Sequence, residues 1–174
     1  MRSATSASVP PGTSRRRRAV WVVLLVAGVV ATACRHSAAD DAAVDAKAAS
    51  ALATSKYVYL SSLRKDGVFG APAEIWFMWK DGAVWVASPT TTWRVRRIRA
   101  GRARARIAIG SKDGPTIEAL GAIVTDRTRY DELYRTFAAK YSDGWTRWEQ
   151  SFRTGLEDGS RVLIRYQLVA ASSS

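Results

Sequence analysis

Cysteine and histidine are almost missing from this 174-residue chain: Cys34 and His36 are the single examples of each. One cysteine excludes an intramolecular disulfide and a cysteine-based metal cluster. One histidine excludes a histidine-rich metal site. Its place in a linker-like stretch also speaks against a Ser-His-Asp or Cys-His hydrolytic centre. Acidic residues are missing from two segments. Residues 1–33 hold Arg2, Arg15, Arg16, Arg17 and Arg18 with no acid, and residues 94–106 hold seven arginines with no acid. The remainder carries 15 basic and 15 acidic residues, so these two segments account for the whole net charge of +12. A long apolar run is missing too. Ala19–Ala33 is uncharged for 15 residues, short of the ~20 that a membrane-spanning helix needs.

What is present begins with an address. The uncharged stretch after Arg15–Arg18 has the length of a signal-peptide hydrophobic region with a positive flank before it. It ends Val29-Val30-Ala31-Thr32-Ala33-Cys34. Small residues before a cysteine resemble the lipobox of bacterial lipoproteins, with Ala31 where that motif prefers Leu. The resemblance implies lipidation of Cys34 and a protein exported and membrane-anchored, on the outer face of a bacterial cell membrane or in the periplasm. The alternative is an uncleaved signal anchor or simple secretion. Ser14-Arg15-Arg16 resembles a twin-arginine export signal, without the aromatic or Leu pair that usually follows. The expected organisation is residues 1–33 signal peptide, 34–55 tether, 56–170 globular domain and 171–174 tail. Within the tether, a short helix Asp40 to Leu52 is the most that is expected.

The remaining length suits one domain with a real core. A hydrophobic fraction of 47% and seven tryptophans exclude a disordered chain. Tyr57 to Leu63 reads as a strand ending at Lys65-Asp66-Gly67. Ala73 to Trp79 reads as a second strand and Ala83 to Ser88 as a third, joined by Asp81-Gly82. Together they predict a three-stranded antiparallel meander. Thr90 to Arg99 predicts a short basic helix capped by a threonine, with Val95 and Ile98 inward. Arg102 to Ile109 alternates strictly and predicts a half-buried strand, its arginines solvated or paired with an acid such as Glu118. Ile117 to Thr125 is a strand. Arg127 to Tyr141 is a helix closed by Asp143-Gly144, Trp145 to Phe152 a short helix, and Ser160 to Ala170 the last strand. The fold class is α+β, an antiparallel barrel with flanking helices.

Several segments in this order resemble the FMN-binding split-barrel family, the pyridoxamine 5'-phosphate oxidase-like and deazaflavin-dependent oxidoreductase group. They are Ser62-Leu63-Arg64-Lys65-Asp66-Gly67, Pro72-Ala73-Glu74-Ile75-Trp76-Phe77, Val84 to Ser88 with Thr90 to Thr92, Arg94 to Arg99, and Phe137 to Tyr141. The resemblance covers residues 56 to 168. It implies a split barrel, a homodimer, and FMN or the deazaflavin coenzyme F-420 as cofactor. Ile75, Trp76 and Phe77 would line the flavin ring. Its phosphate would be held by the turn and basic helix, where Trp93 replaces a usual small residue.

The residues point to that anion site on their own chemistry. Ser88, Thr90, Thr91 and Thr92 offer hydroxyls beside Arg94 and Arg97, and arginine forks suit phosphate oxygens. A helix N-terminus would add donors. The plainer alternatives are a solvated face for the arginines and ordinary core for Trp76, Phe77 and Trp85. Glu74 and Asp81 do not form a convincing acid/base pair. Three functions are expected in order. The first is an oxidoreductase whose cofactor carries the chemistry on a small-molecule substrate. Arg165-Tyr166-Gln167-Leu168-Val169 does not reproduce the substrate-contacting segment of true pyridoxamine 5'-phosphate oxidases. The second is a non-catalytic module holding a flavin, haem or other ligand, with haem disfavoured because His36 lies on the tether. The third, nucleic-acid binding, is set aside because the arginines form no continuous basic face. Contact with anionic lipid near the anchor is a further idea.

Overall fold

Alternation along the strands decides where the core lies. A computed structural model describes residues 46–169. The signal segment, Cys34, His36 and the 171–174 tail lie outside the described residues. The elements are helix α1 (46–54), β1 (Val58–Ser62), β2 (Ala73–Ile75), β3 (Met78–Lys80), β4 (Ala83–Pro89), α2 (Trp93–Arg99), β5 (Arg104–Ile109), β6 (Thr116–Val124), α3 (Thr128–Lys140), α4 (Ser142–Glu157) and β7 (Arg161–Val169). All strand pairs are antiparallel in one seven-stranded sheet ordered β2-β1-β5-β6-β7-β4-β3. The two edge strands, β2 and β3, are consecutive in the chain with only Trp76 and Phe77 between them. The sheet must therefore curl until its ends meet, which makes the half-closed barrel.

The expected strand Ala73 to Trp79 is thus two strands on opposite edges, and the expected meander is not formed. The reason is aromatic. Trp76 stacks on Tyr141, centroids 4.3 Å apart, and the Phe77 N–H donates to Tyr141 Oη at 2.9 Å instead of to a strand. The hairpin at Asp81-Gly82 is as expected. Lys80 pairs with Ala83, and both turn residues have positive φ, 51° and 65°. That is the type I′ geometry for which Asp-Gly is suited.

β4 is buried on both faces. Val84 and Val86 enter the barrel core with Val58, Leu60, Ile107, Ile164 and Tyr166. Ala83, Trp85 and Ala87 face a second core built by Leu133, Tyr134, Phe137 and Tyr141 of the α3 region and by Trp145, Phe152 and Leu156 of α4. The helix over 46–54 joins the barrel core through Ala48 and Leu52, so this part of the expected tether is packed structure. α4 is longer than expected and begins directly after Tyr141. Gly144 lies within its first turn, where an added Cβ would sit 3.2 Å from the Trp76 ring.

Among the described residues no helix is long and apolar enough to cross a membrane.

Candidate functional site

Ser62 ends β1 on the barrel side, two residues beyond Leu60, and Ser88, next to last in β4, lies on the same side, two beyond Val86. Both are buried. Helix α2 closes this end of the barrel, with Val95 fully buried in the core and Ile98 packed against it. Arg94 and Arg97 are three apart and so share one face of α2, flanking the inward Val95. Arg94 Nη1 donates to Ser88 Oγ at 3.0 Å. Arg97 Nη1 donates to Ser62 Oγ and to the Ser62 carbonyl, each at 2.8 Å. Among the described residues neither arginine pairs with a carboxylate. Burial lowers the Arg94 pKa from its ordinary value, yet a guanidinium remains charged at neutral pH. Tyr166 Oη is buried with no hydrogen-bond partner, and burial pushes its pKa up to about 12, the nearby Arg94 charge opposing. A charge with spare donors and an orphaned hydroxyl therefore share the barrel's end.

Arg94 lines two clefts. One, of about 290 Å³, has Ile75 and Ala87 from the sheet, Trp76 from the link after β2, Trp148 and Phe152 from α4, and Glu74, Arg94 and Arg161 as its charged groups. The other, of about 380 Å³, runs past Ser62, Ala73, Thr92, Trp93 and Arg97. Glu74 accepts a 2.7 Å hydrogen bond from Tyr59 Oη, which is the main cause of the raised Tyr59 pKa. Arg161 lies 4.5 Å from the Phe152 ring centre and donates to Ser151, and its burial lowers its pKa.

The expected site residues separate into groups. Ile75, Trp76 and Arg94 line the first cleft, and Trp93, Arg94 and Arg97 line the second. Ser88 anchors Arg94. Phe77 is fully buried, its ring covered by Lys140 Nζ at 3.4 Å, so its side chain belongs to the core. Trp76 touches the cleft but is also stacked between Tyr141 and Phe152. Thr90 and Thr91 line a separate hydroxyl-rich cleft, and Thr90 Oγ1 donates to the Ser160 carbonyl at 3.1 Å. Thr92 precedes α2, but its hydroxyl donates to the Pro89 carbonyl at 2.8 Å and makes no cap bond. Cys34, the expected lipidation site, lies outside the described residues. Arg104 and Arg106 both pair with Glu118, which stands opposite Arg106 in the β5–β6 register, and Arg104 is the main cause of the lowered Glu118 pKa.

Ser62, Tyr166, Trp148, Phe152 and Arg161 are site residues the sequence reading did not select. Trp148 and Phe152 carry a signal, since aromatics four apart share a helix face. Ser62 and Tyr166 carry one only in the strand alternation.

No family profile and no curated protein matches the sequence. Solved structures do. A candidate pyridoxamine 5'-phosphate oxidase from Listeria innocua matches 75% of this chain and 99% of its own, with TM-score 0.52 and 15% identity. General stress protein 26 from Bacillus anthracis matches 72% and 88%, with TM-score 0.53 and 19% identity. The haem-storage protein HutZ of Vibrio cholerae matches 74% and 92%, with TM-score 0.51 and 11% identity. A curled antiparallel sheet with flanking helices, shared with proteins of this group over nearly their full lengths, gives this chain the α+β split-barrel fold of the pyridoxamine 5'-phosphate oxidase-like proteins.

Proposed function

We propose that this protein is a flavoprotein of the pyridoxamine 5'-phosphate oxidase-like family. It binds FMN, or the deazaflavin coenzyme F-420, and acts as an oxidoreductase on a small-molecule substrate. The observation that carries this reading is Arg94, a half-buried guanidinium with no carboxylate partner among the described residues, held by Ser88 where the two clefts meet. A protein does not place such a charge beside an orphaned tyrosine hydroxyl without cost, and an anionic ligand group offsets both. The residues fit a phosphorylated ring compound. Arg94 and Arg97 hold the phosphate, with Tyr166 as a further donor. Ile75 and Trp76 form one wall for the ring, and Trp148 and Phe152 exclude water from the other. When bound, the cofactor supplies hydride transfer, and the protein supplies binding, orientation and electrostatics.

The same reading takes the protein as a homodimer, exported and tethered through lipidated Cys34. Replacement of Cys34 by Ser releases it from membranes on this account. Retention of the variant would contradict the lipid anchor.

The test of function is spectroscopic. The purified full chain is titrated with FMN and with coenzyme F-420, and absorbance is followed between about 350 and 480 nm, where flavin and deazaflavin rings absorb. Saturable binding of one of them, with bleaching on reduction and recovery when a substrate oxidises it, supports the proposal. Binding without turnover reduces it to a ligand-holding module. Failure to bind either removes it.

A further inference from the structure

The arginines of residues 94–106 point in different directions. Arg94 and Arg97 turn into the barrel's end, and Arg104 and Arg106 both pair with Glu118. Arg96 and Arg102 go elsewhere. They meet Arg64 and Lys65, from the turn after β1, around a cleft of about 470 Å³ that Arg97 also borders. Trp93 forms part of the lining. Its indole is 67% exposed, with the Arg96 and Arg97 guanidinium carbons 5.3 and 5.8 Å from its ring centre. Among the described residues the one ion pair made by these cations is Arg64 with Asp66, at 3.0 Å. Arg102 Nε is buried and has no hydrogen-bond partner. A buried donor without an acceptor is costly, and mutual repulsion of the surrounding cations adds to that cost.

We propose that this cleft is a second anion site, and that it takes a phosphate group carrying two or more negative charges. Four cations without an acidic partner would remain in excess over a monoanion. Guanidinium forks match phosphate oxygens with paired bonds, and Lys65 adds a compact charge. Trp93 sets an apolar plane beside the charges, suited to the organic part of the same molecule. The phosphate belongs either to a free phosphorylated compound or to a phospholipid headgroup. Trp93 and Arg97 border both this cleft and the barrel-end cleft, whereas Arg64, Lys65, Arg96 and Arg102 line this one and not the other, so those four distinguish the two sites.

The test uses the full chain in non-ionic detergent, carrying Arg94→Ala to weaken the barrel-end site, and reads out through Arg96 and Arg102, which line this cleft and not that one. Calorimetric titration with inorganic pyrophosphate is expected to show one saturable site that weakens with added salt. Adding Arg96→Gln and Arg102→Gln is expected to weaken it by roughly tenfold or more, with an unchanged or raised melting temperature, since repulsion among the cations is relieved. Arg96 is exposed, so Arg96→Gln alone serves if the Arg102 change disturbs the fold. A second arm adds dihexanoylphosphatidic acid below its micelle concentration. Displacement of pyrophosphate identifies the headgroup as the source, and no displacement identifies a free phosphate compound; both keep the site. Absence of saturable pyrophosphate binding, or equal affinity in the Arg96→Gln protein, would overturn the proposal.

Discussion

Trp76 and Tyr141 lie face to face, their ring centroids 4.3 Å apart and their planes 3° from parallel. Trp76 is the residue at which the chain leaves β2 on one sheet edge, and Tyr141 joins α3 to α4. The tyrosine hydroxyl accepts from the Phe77 N–H at 2.9 Å and donates to the Lys56 carbonyl at 2.8 Å. One side chain thus fixes where the barrel is left open.

Tyr141→Phe keeps the stack and removes both hydrogen bonds. The Phe77 N–H is then buried without an acceptor, which costs about 1–3 kcal/mol. Urea unfolding measures it. A loss below about 0.5 kcal/mol, under the range for a lost hydrogen bond, would mean that the hydroxyl does not hold the break between β2 and β3.

Gly121 faces Tyr166 across β6 and β7. An added Cβ would lie 2.6 Å from the Tyr166 ring and 2.9 Å from Ile98 Cδ1. Gly121→Ala is expected to destabilise by about 1–3 kcal/mol through overpacking. It should also loosen α2, because Ile98 anchors that helix. Faster amide hydrogen exchange across Val95–Arg99 is the second readout.

The Tyr166 hydroxyl makes no hydrogen bond in the ligand-free protein. Tyr166→Phe is therefore expected to leave thermal stability unchanged or to raise it slightly, since a buried unpaired hydroxyl is removed. If Tyr166 donates to a bound phosphate, the same variant binds FMN more weakly. A clear drop in melting temperature without ligand would show that the hydroxyl has a structural partner.

Lys140 titrates abnormally low. Burial pushes its pKa down to about 8, although the Phe77 ring 3.4 Å from its ammonium partly offsets the lost hydration. The unfolded chain holds this proton up to the ordinary lysine value of 10.5. Between these values the unfolded state binds more protons, so this residue's contribution to stability rises with pH. That contribution is complete above the unfolded value and is lost as pH falls through about 8. The difference in stability between Lys140→Met and the native protein should shrink from pH 7.5 to pH 10, a window flanking that value. A pH-independent difference would contradict the burial of the charge.

The legible parts of this fold are those governed by local chemistry. Asp81-Gly82 announces its hairpin because both residues must take positive φ. The alternation of Arg104, Arg106 and their inward neighbours announces β5, and Glu118 is where a partner is expected. The break at Trp76–Phe77 is not legible, because β-forming residues run through it and the decisive contact comes from Tyr141, 64 residues away from Phe77. The candidate site divides in the same way. Arg94 and Arg97 stand out as basic residues beside hydroxyls, and they do line the clefts at the barrel's end. Their actual partners, Ser88 and Ser62, sit on strands that only the curl of the sheet brings under one helix. Thr90 and Thr92 lie close to Arg94 in sequence, but backbone carbonyls take their hydroxyls first.

The central claim is that Arg94 serves the phosphate of a flavin. The most direct measurement compares FMN with riboflavin, which has the same ring and no phosphate, in the native protein and in Arg94→Ala. The native protein is expected to bind FMN roughly tenfold or more tighter than riboflavin, as a charge-assisted contact of ~1.5–3 kcal/mol requires. In Arg94→Ala that preference should fall severalfold while riboflavin affinity stays the same, Arg97 keeping part of the phosphate contact. Equal affinity of the native protein for the two, or a preference for FMN undiminished by the substitution, would contradict the account.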